Sequence, residues 1–89
     1  MTNKFVRYRL SIKVHPGVRD RSADKEWKTK YGCEHIESKG GQIIFSGKII
    51  KGTLKEANAT LVLLKGDIKT FFNVGSVSEE FIVKGDQVS

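Results

Sequence analysis

The chain has 89 residues, 38% of them hydrophobic and 29% charged, and its 16 Lys and Arg exceed its 10 Asp and Glu to give a formal charge of +6. This length leaves room for one hydrophobic core, and the composition is globular rather than disordered. A single cysteine, Cys33, excludes a disulfide within the chain, and the sequence lacks an apolar leader and any apolar run of about 20 residues that would cross a bilayer. We therefore expect one domain over residues 1–89, in a reducing, cytoplasmic setting.

The first predicted element is a strand from Lys4 to His15, because apolar side chains alternate there with polar ones. Its apolar positions are Val6, Tyr8, Leu10, Ile12 and Val14. Alternate side chains of a strand share one face at a spacing of about 6.6 Å, so the other face carries a basic row. This row consists of Arg7, Arg9 and Lys13, with Phe5 and His15 at its ends.

The next predicted element is a short helix. Residues 16–21 begin with Pro-Gly, which breaks the strand and indicates an exposed loop. Ser22 then caps a helix from Ala23 to Tyr31, which ends at the following glycine. Trp27 shares a face with Tyr31, and we expect both rings in the core, because large aromatic side chains favour burial. A platform for stacking bases is their alternative role.

A hairpin follows the first helix. Residues 33–38 and 42–51 have the composition of two strands, and Gly40 and Gly41 between them supply the positive φ angles of a tight turn. Gly47 interrupts the alternation of the second strand, and this predicts a bulge.

A capping box, Thr53-Leu54-Lys55-Glu56, begins the second predicted helix. The helix runs through Leu64 or Lys65 and ends at Gly66. Its apolar stripe consists of Leu54, Ala57, Leu61 and Leu64. Ile68 to Val74 predicts a strand, residues 80–84 a last short strand, and residues 85–89 a frayed tail.

The predicted order is thus β-α-β-β-α-β with an extra terminal strand. This order indicates an α+β domain in which two helices pack on one face of an antiparallel sheet. It is also the order of a ferredoxin-like arrangement. With both helices on one face, the basic row of the first strand is accessible to a partner.

The excess positive charge lies in a basic N-terminal segment, residues 1–31. This segment carries nine cations and three anions, whereas residues 32–89 hold seven of each, and all four arginines lie in the segment. Arginine binds phosphate through paired hydrogen bonds. We therefore predict a small nucleic-acid-binding protein that prefers RNA slightly over DNA and grips the phosphate backbone. The predicted contacts are Arg7, Arg9, Lys13, Arg19, Arg21, Lys25, Lys28 and Lys30.

Low sequence specificity is expected of this binding. RNA-recognition modules stack bases on a central strand with the pattern K/R-G-F/Y-G/A-F-V-x-F/Y, and residues 42–48 do not match it. The prediction is therefore contact with the phosphate backbone rather than base reading.

Two other function classes remain open. A compact domain without catalytic motifs also suits an inhibitor or antitoxin-like, anti-defence protein of a phage or mobile element, which would dock on a nucleic-acid-handling enzyme such as a nuclease. A metal-independent RNase would use His15 and His35 as general base and general acid. We favour binding without catalysis, since no nucleophile motif, carboxylate pair or phosphate loop is present.

The sequence also bears on metal binding and self-association. Cys33 and His35 stand two apart and would share a strand face, but a structural metal site needs about four ligands, so we predict no metal and no cofactor. A homodimer is compatible with exposed strand edges and would double the basic surface.

Overall fold

The structure is a computed structural model that describes residues 3–14 and 24–87. The predictions for the loop of residues 16–21, for His15 and for the Ser22 cap lie outside these ranges. The described elements, in chain order, are β1 (Asn3–Lys13), α1 (Asp24–Tyr31), β2 (Cys33–Lys39), β3 (Gln42–Lys51), α2 (Leu54–Phe72) and β4 (Ser78–Gln87).

The four strands form one antiparallel sheet in the order β2-β3-β1-β4. The connection from β1 through α1 to β2 passes over β3, and the connection from β3 through α2 to β4 passes over β1. Each connection therefore leaves another strand between the two that it joins. The predicted α+β class with an antiparallel sheet is confirmed.

The core lies between the sheet and the two helices. The alternation predicted for the first strand is confirmed, because its apolar residues from position 6 to position 12 are buried and Val14 packs against them. The predicted burial of Trp27 and Tyr31 is also confirmed. Burial of this apolar surface is the main favourable contribution to folding. The core comprises Val6, Tyr8, Leu10 and Ile12 of β1; Trp27 and Tyr31 of α1; Cys33 of β2; Ile43, Phe45 and Ile49 of β3; and Ala57, Leu61, Leu64 and Ile68 of α2.

The predicted hairpin is confirmed as β2 and β3, with φ angles of 54° at Gly40 and 80° at Gly41. The predicted bulge at Gly47 is wrong: the pairing of β3 with β1 is continuous there, and the irregularity lies in β2, between Cys33 and His35. Gly47 serves close packing instead. A Cβ atom at this position would lie 2.1 Å from the carbonyl oxygen of Gly32.

The second helix begins as the capping box predicts, with the Glu56 N–H donating to the Thr53 hydroxyl at 3.2 Å. Its predicted end at Gly66 and the strand predicted from Ile68 to Val74 are wrong, because α2 continues to Phe72. Ile68 is fully buried and extends the helical stripe of Ala57, Leu61 and Leu64. Its burial outweighs the cost of about 1 kcal/mol for a glycine inside a helix.

The last strand is longer than predicted. β4 covers Ser78–Gln87 rather than residues 80–84, and it includes residues 85–87 of the predicted frayed tail. It pairs with β1 over most of its length. Within residues 3–14 and 24–87 the order is therefore β-α-β-β-α-β, without the extra strand. Neither of the two described helices combines the length and the hydropathy needed to cross a membrane.

Candidate nucleic-acid interface

One face of the sheet carries no helix. The side chains of β1 alternate, so those between its buried apolar residues lie on the face opposite α1 and α2. We call this surface the open face. Its members on β1 are Phe5, Arg7, Arg9, Ser11 and Lys13, and the residues paired with them on β3 and β4 share the same face.

Two rows that run across the strands define the basic part of the open face. Arg7 pairs with Lys48 of β3 on one side and with Val83 of β4 on the other. Arg9 pairs with Ser46 and Phe81, and Ser46 pairs in turn with His35 of β2. The second row is therefore His35, Ser46, Arg9 and Phe81. Paired side chains on adjacent strands have Cβ atoms about 5 Å apart, so three cations lie close together in these rows: Arg7, Arg9 and Lys48.

The electrostatics of this part of the surface favour an anion. In the described residues neither Arg7 nor Arg9 makes an ion pair or a side-chain hydrogen bond. Arg7 lies directly opposite Lys48, an arrangement of like charges that destabilises a sheet. The carboxylates on the open face lie towards its other end, where Glu37 pairs with Ile44 and Glu80 accepts a hydrogen bond of 2.7 Å from Ser11.

A third row provides an aromatic ring next to these cations. Phe5 pairs with Ile50 and Gly85, and a Cβ atom at Gly85 would lie 3.0 Å from Cε1 of the Phe5 ring. The ring therefore packs directly over the glycine backbone of β4. The Nζ atom of Lys48, on the neighbouring strand β3, lies 5.6 Å from the ring centroid. These contacts hold Phe5 against the sheet and place the charge of Lys48 over it.

Of the eight residues predicted to bind nucleic acid, the structure describes the side chains of five. Arg7, Arg9 and Lys13 are exposed on the open face, as the alternation predicts. Arg19 and Arg21 lie outside the described residues, as does the side chain of Lys25, whose backbone belongs to α1.

Two further predicted contacts, Lys28 and Lys30, belong to the first helix rather than to the open face. Both lie on α1, which packs on the other side of the sheet. The Nζ atom of Lys30 is 3.8 Å from a carboxylate oxygen of Asp67 and 5.2 Å from the centroid of the Tyr31 ring. Lys28 lies beside residues 33–36 of β2. The structure thus places these two exposed lysines on a different element from Arg7, Arg9 and Lys13, and their part in binding stays a prediction.

Two hydrogen bonds of Tyr31 connect α1 with β1 and with α2. The Tyr8 hydroxyl of β1 donates to the Tyr31 carbonyl at 3.0 Å, and the Tyr31 hydroxyl donates to Asp67 of α2. Burial raises the pKa of Tyr8 far above its ordinary value of 10.0, with the neighbouring Cys33 thiol adding to the effect. Burial, followed by the hydrogen bond to Asp67, also raises the pKa of Tyr31. The contact with Tyr31, and then the charge of Asp67, raise the pKa of Lys30.

The structure also separates Cys33 from His35. Cys33 and His35 pair with consecutive residues of β3, Gly47 and Ser46, because the bulge leaves residue 34 of β2 without a partner in the register. Cys33 is therefore buried on the helix side, whereas His35 is exposed on the open face. The expectation that they share a strand face is wrong for this reason. In the described ranges no group of three or more potential ligands is placed to hold a metal ion. His15, the second histidine of the RNase hypothesis, lies outside those ranges.

The open-face residues that the sequence did not predict as functional include Lys48, Phe81 and Val83. The alternation of β3 places Lys48 on the same face as Ser46, but its position beside Arg7 depends on the strand order. Phe81 and Val83 are 42% and 49% exposed and add apolar surface beside the arginines.

The fold and the surface together define a small α+β domain with a basic, partly aromatic open sheet face. Comparison with known proteins finds no matching family, no similar curated protein and no similar solved structure. The basic and aromatic side chains of the open face are therefore the observations that bear on function.

Proposed function

We propose that this protein binds nucleic acid through the phosphate backbone, with Arg7, Arg9 and Lys48 as the central contacts. The observation that carries the proposal is the pair of guanidinium groups on the open face, which have no partner among the described residues and lie beside a third cation. A guanidinium group donates two parallel hydrogen bonds to a phosphate, and a phosphate would also relieve the repulsion between Arg7 and Lys48.

The proposal favours RNA slightly over DNA and low sequence specificity. Contacts to phosphate position a nucleic acid but do not distinguish its bases. The surface is a sheet face rather than a helix that could enter a major groove, which supports RNA over duplex DNA. Lys13 of the same strand extends the basic row, on the side where Glu37 and Glu80 reduce the local positive charge.

Binding is tested by fluorescence anisotropy with labelled RNA and DNA of about 15 nucleotides, a length in the range of known single-strand sites. The test variant is Arg7→Ala with Arg9→Ala. The matched control is Lys55→Ala with Lys69→Ala, which removes the same charge from exposed positions of α2. An exposed charged contact is worth about 1 kcal/mol, so the arginine variant should bind about 30-fold more weakly. Equal weakening in both variants would show that net charge, not the open face, determines binding.

The same material distinguishes the alternative functions. We propose binding without catalysis, so labelled RNA should stay full length on a denaturing gel after incubation, whereas cleavage would support the RNase. An inhibitor that docks on a nuclease would retain its protein partner in a pull-down after nuclease treatment. Loss of every partner on nuclease treatment is the result that our proposal predicts.

We also propose that the domain has a ferredoxin-like arrangement. Support comes from the two β-α-β connections, each of which passes over a strand. An experimental structure tests this, because both connections should then be right-handed.

A further inference from the structure

The aromatic ring of Phe81 lies on the open face, away from the aromatic cluster of the core. The ring contacts of the described aromatic residues occur in the core and between the helices, among Trp27, Phe45, Phe71 and Phe72, and Phe81 takes part in none of them. Phe81 is 42% exposed on the open face of β4, a strand at the edge of the sheet. Its neighbour on β1 is Arg9.

The second ring of the open face lies beyond the arginines. Phe5 and Phe81 are separated by four positions along the strand direction and by one strand, or about 14 Å on standard sheet dimensions. Arg7 on β1 and Val83 on β4 lie between them, and Arg9 lies directly opposite Phe81. Cations that suit phosphate thus alternate with apolar surface that suits bases.

This alternation distinguishes single strands from duplexes. In a duplex the faces of the bases are covered by stacking on one another, so a protein surface meets phosphates, sugars and base edges. In a single strand the bases can turn away from each other and stack on aromatic side chains while the backbone follows a positive surface. Stacking on Phe81 and Phe5 is therefore open to the bases of a single strand and not to those of a duplex.

Resting on the proposed function, we propose that the open face is a site for single-stranded nucleic acid, with one base stacked on Phe81, a second on Phe5 and the intervening phosphates on Arg7 and Arg9. Phe81 is the principal stacking residue, because Phe5 is held against Gly85 and Lys48. Val83 widens the apolar surface beside the stacked base. Sequence preference is weak, since every base has a face that can stack.

The test compares a labelled single strand of about 15 nucleotides with a duplex of the same sequence. Phe81→Ala should weaken single-strand binding by about 5- to 150-fold, the range for one lost stack, and change duplex binding by less than about twofold. Phe81→Leu keeps an apolar side chain without an aromatic face and should show most of this loss, whereas Phe81→Trp should retain the affinity. Leu63→Ala, at a position of α2 that is 60% exposed, is the matched control and should bind normally.

The possible results separate this proposal from the proposed function. If Arg7→Ala with Arg9→Ala weakens binding but Phe81→Ala does not, the stacking site is overturned and phosphate binding stands. Equal losses on single strand and duplex, or normal binding by Phe81→Leu, also overturn stacking. If the wild-type protein binds neither form, both proposals fail. Size-exclusion chromatography tests whether Phe81 instead lies in a contact between two copies of the protein. If the wild type is a dimer, and Phe81→Ala is a monomer with unchanged affinity for nucleic acid, the stacking site is overturned.

Discussion

Replacing Gly66 with alanine tests the part of the fold that departs most from the sequence pattern. Gly66 lies inside α2, its φ is not positive, and an added Cβ atom would have no neighbour within 4 Å. The new methyl group therefore gains or loses no packing, and the change reflects helix propensity alone. Alanine is more favourable than glycine in a helix by about 1 kcal/mol, so Gly66→Ala should raise the free energy of unfolding by that amount and the melting temperature by about 4–8 °C.

Gly40→Ala is the matched control for this substitution. A Cβ atom at Gly40 would also have no neighbour within 4 Å, but Gly40 has a φ of 54°. Alanine in this left-handed conformation costs about 1–2 kcal/mol. Urea denaturation followed by circular dichroism should therefore show opposite signs for the two variants. If Gly66→Ala destabilises the protein as Gly40→Ala does, Gly66 ends a helix and the continuation of α2 to Phe72 is refuted.

Three further predictions concern stability. Gly47→Ala should lower the free energy of unfolding by more than about 3 kcal/mol, because its Cβ would overlap the Gly32 carbonyl oxygen at 2.1 Å; a folded variant of normal stability in urea would contradict this close approach. Thr53→Ala should cost about 1 kcal/mol through loss of the helix cap, measured in the same assay, and an unchanged midpoint would mean that the cap is dispensable. Tyr8→Phe should cost about 1 kcal/mol at neutral pH, because the hydrogen bond to Tyr31 is lost. Since the pKa of Tyr8 is raised in the folded state, its contribution is complete below about pH 10 and falls by up to about 1.4 kcal/mol per pH unit above it. Unfolding measured across this range should therefore show a shallower alkaline decline in Tyr8→Phe, and equal slopes would contradict the burial of the hydroxyl.

Local patterns predicted much of the fold. Strict alternation placed the side chains of β1 on the correct faces, the Gly-Gly turn fixed the hairpin, and the capping box located the start of α2. Each of these signals depends on residues near one another in the sequence. The end of α2 was mispredicted because a glycine such as Gly66 ends a helix mainly where the residues after it are not needed in the core. Here Ile68 is fully buried, and its burial requires the helix to continue.

The site was less predictable than the fold. The row of Arg7 and Arg9 follows from the period of β1, whereas its neighbours follow from the order of the strands. Lys48 and Phe81 come beside these arginines because β1 lies between β3 and β4, which no local signal determines. The lysines at positions 28 and 30 belong to α1, which packs on the other side of the sheet, and the charge count of the N-terminal segment could not show this separation from the arginines.

The salt dependence of binding to a single strand tests the central claim most directly. Each phosphate neutralised contributes about −0.7 to the slope of log K against log salt concentration. Removing two contacts with Arg7→Ala and Arg9→Ala should therefore make the slope shallower by about 1.4, whereas Lys55→Ala with Lys69→Ala should leave it unchanged. The same slope in the wild type and the arginine variant would show that the open face does not contact phosphate, and would contradict the account.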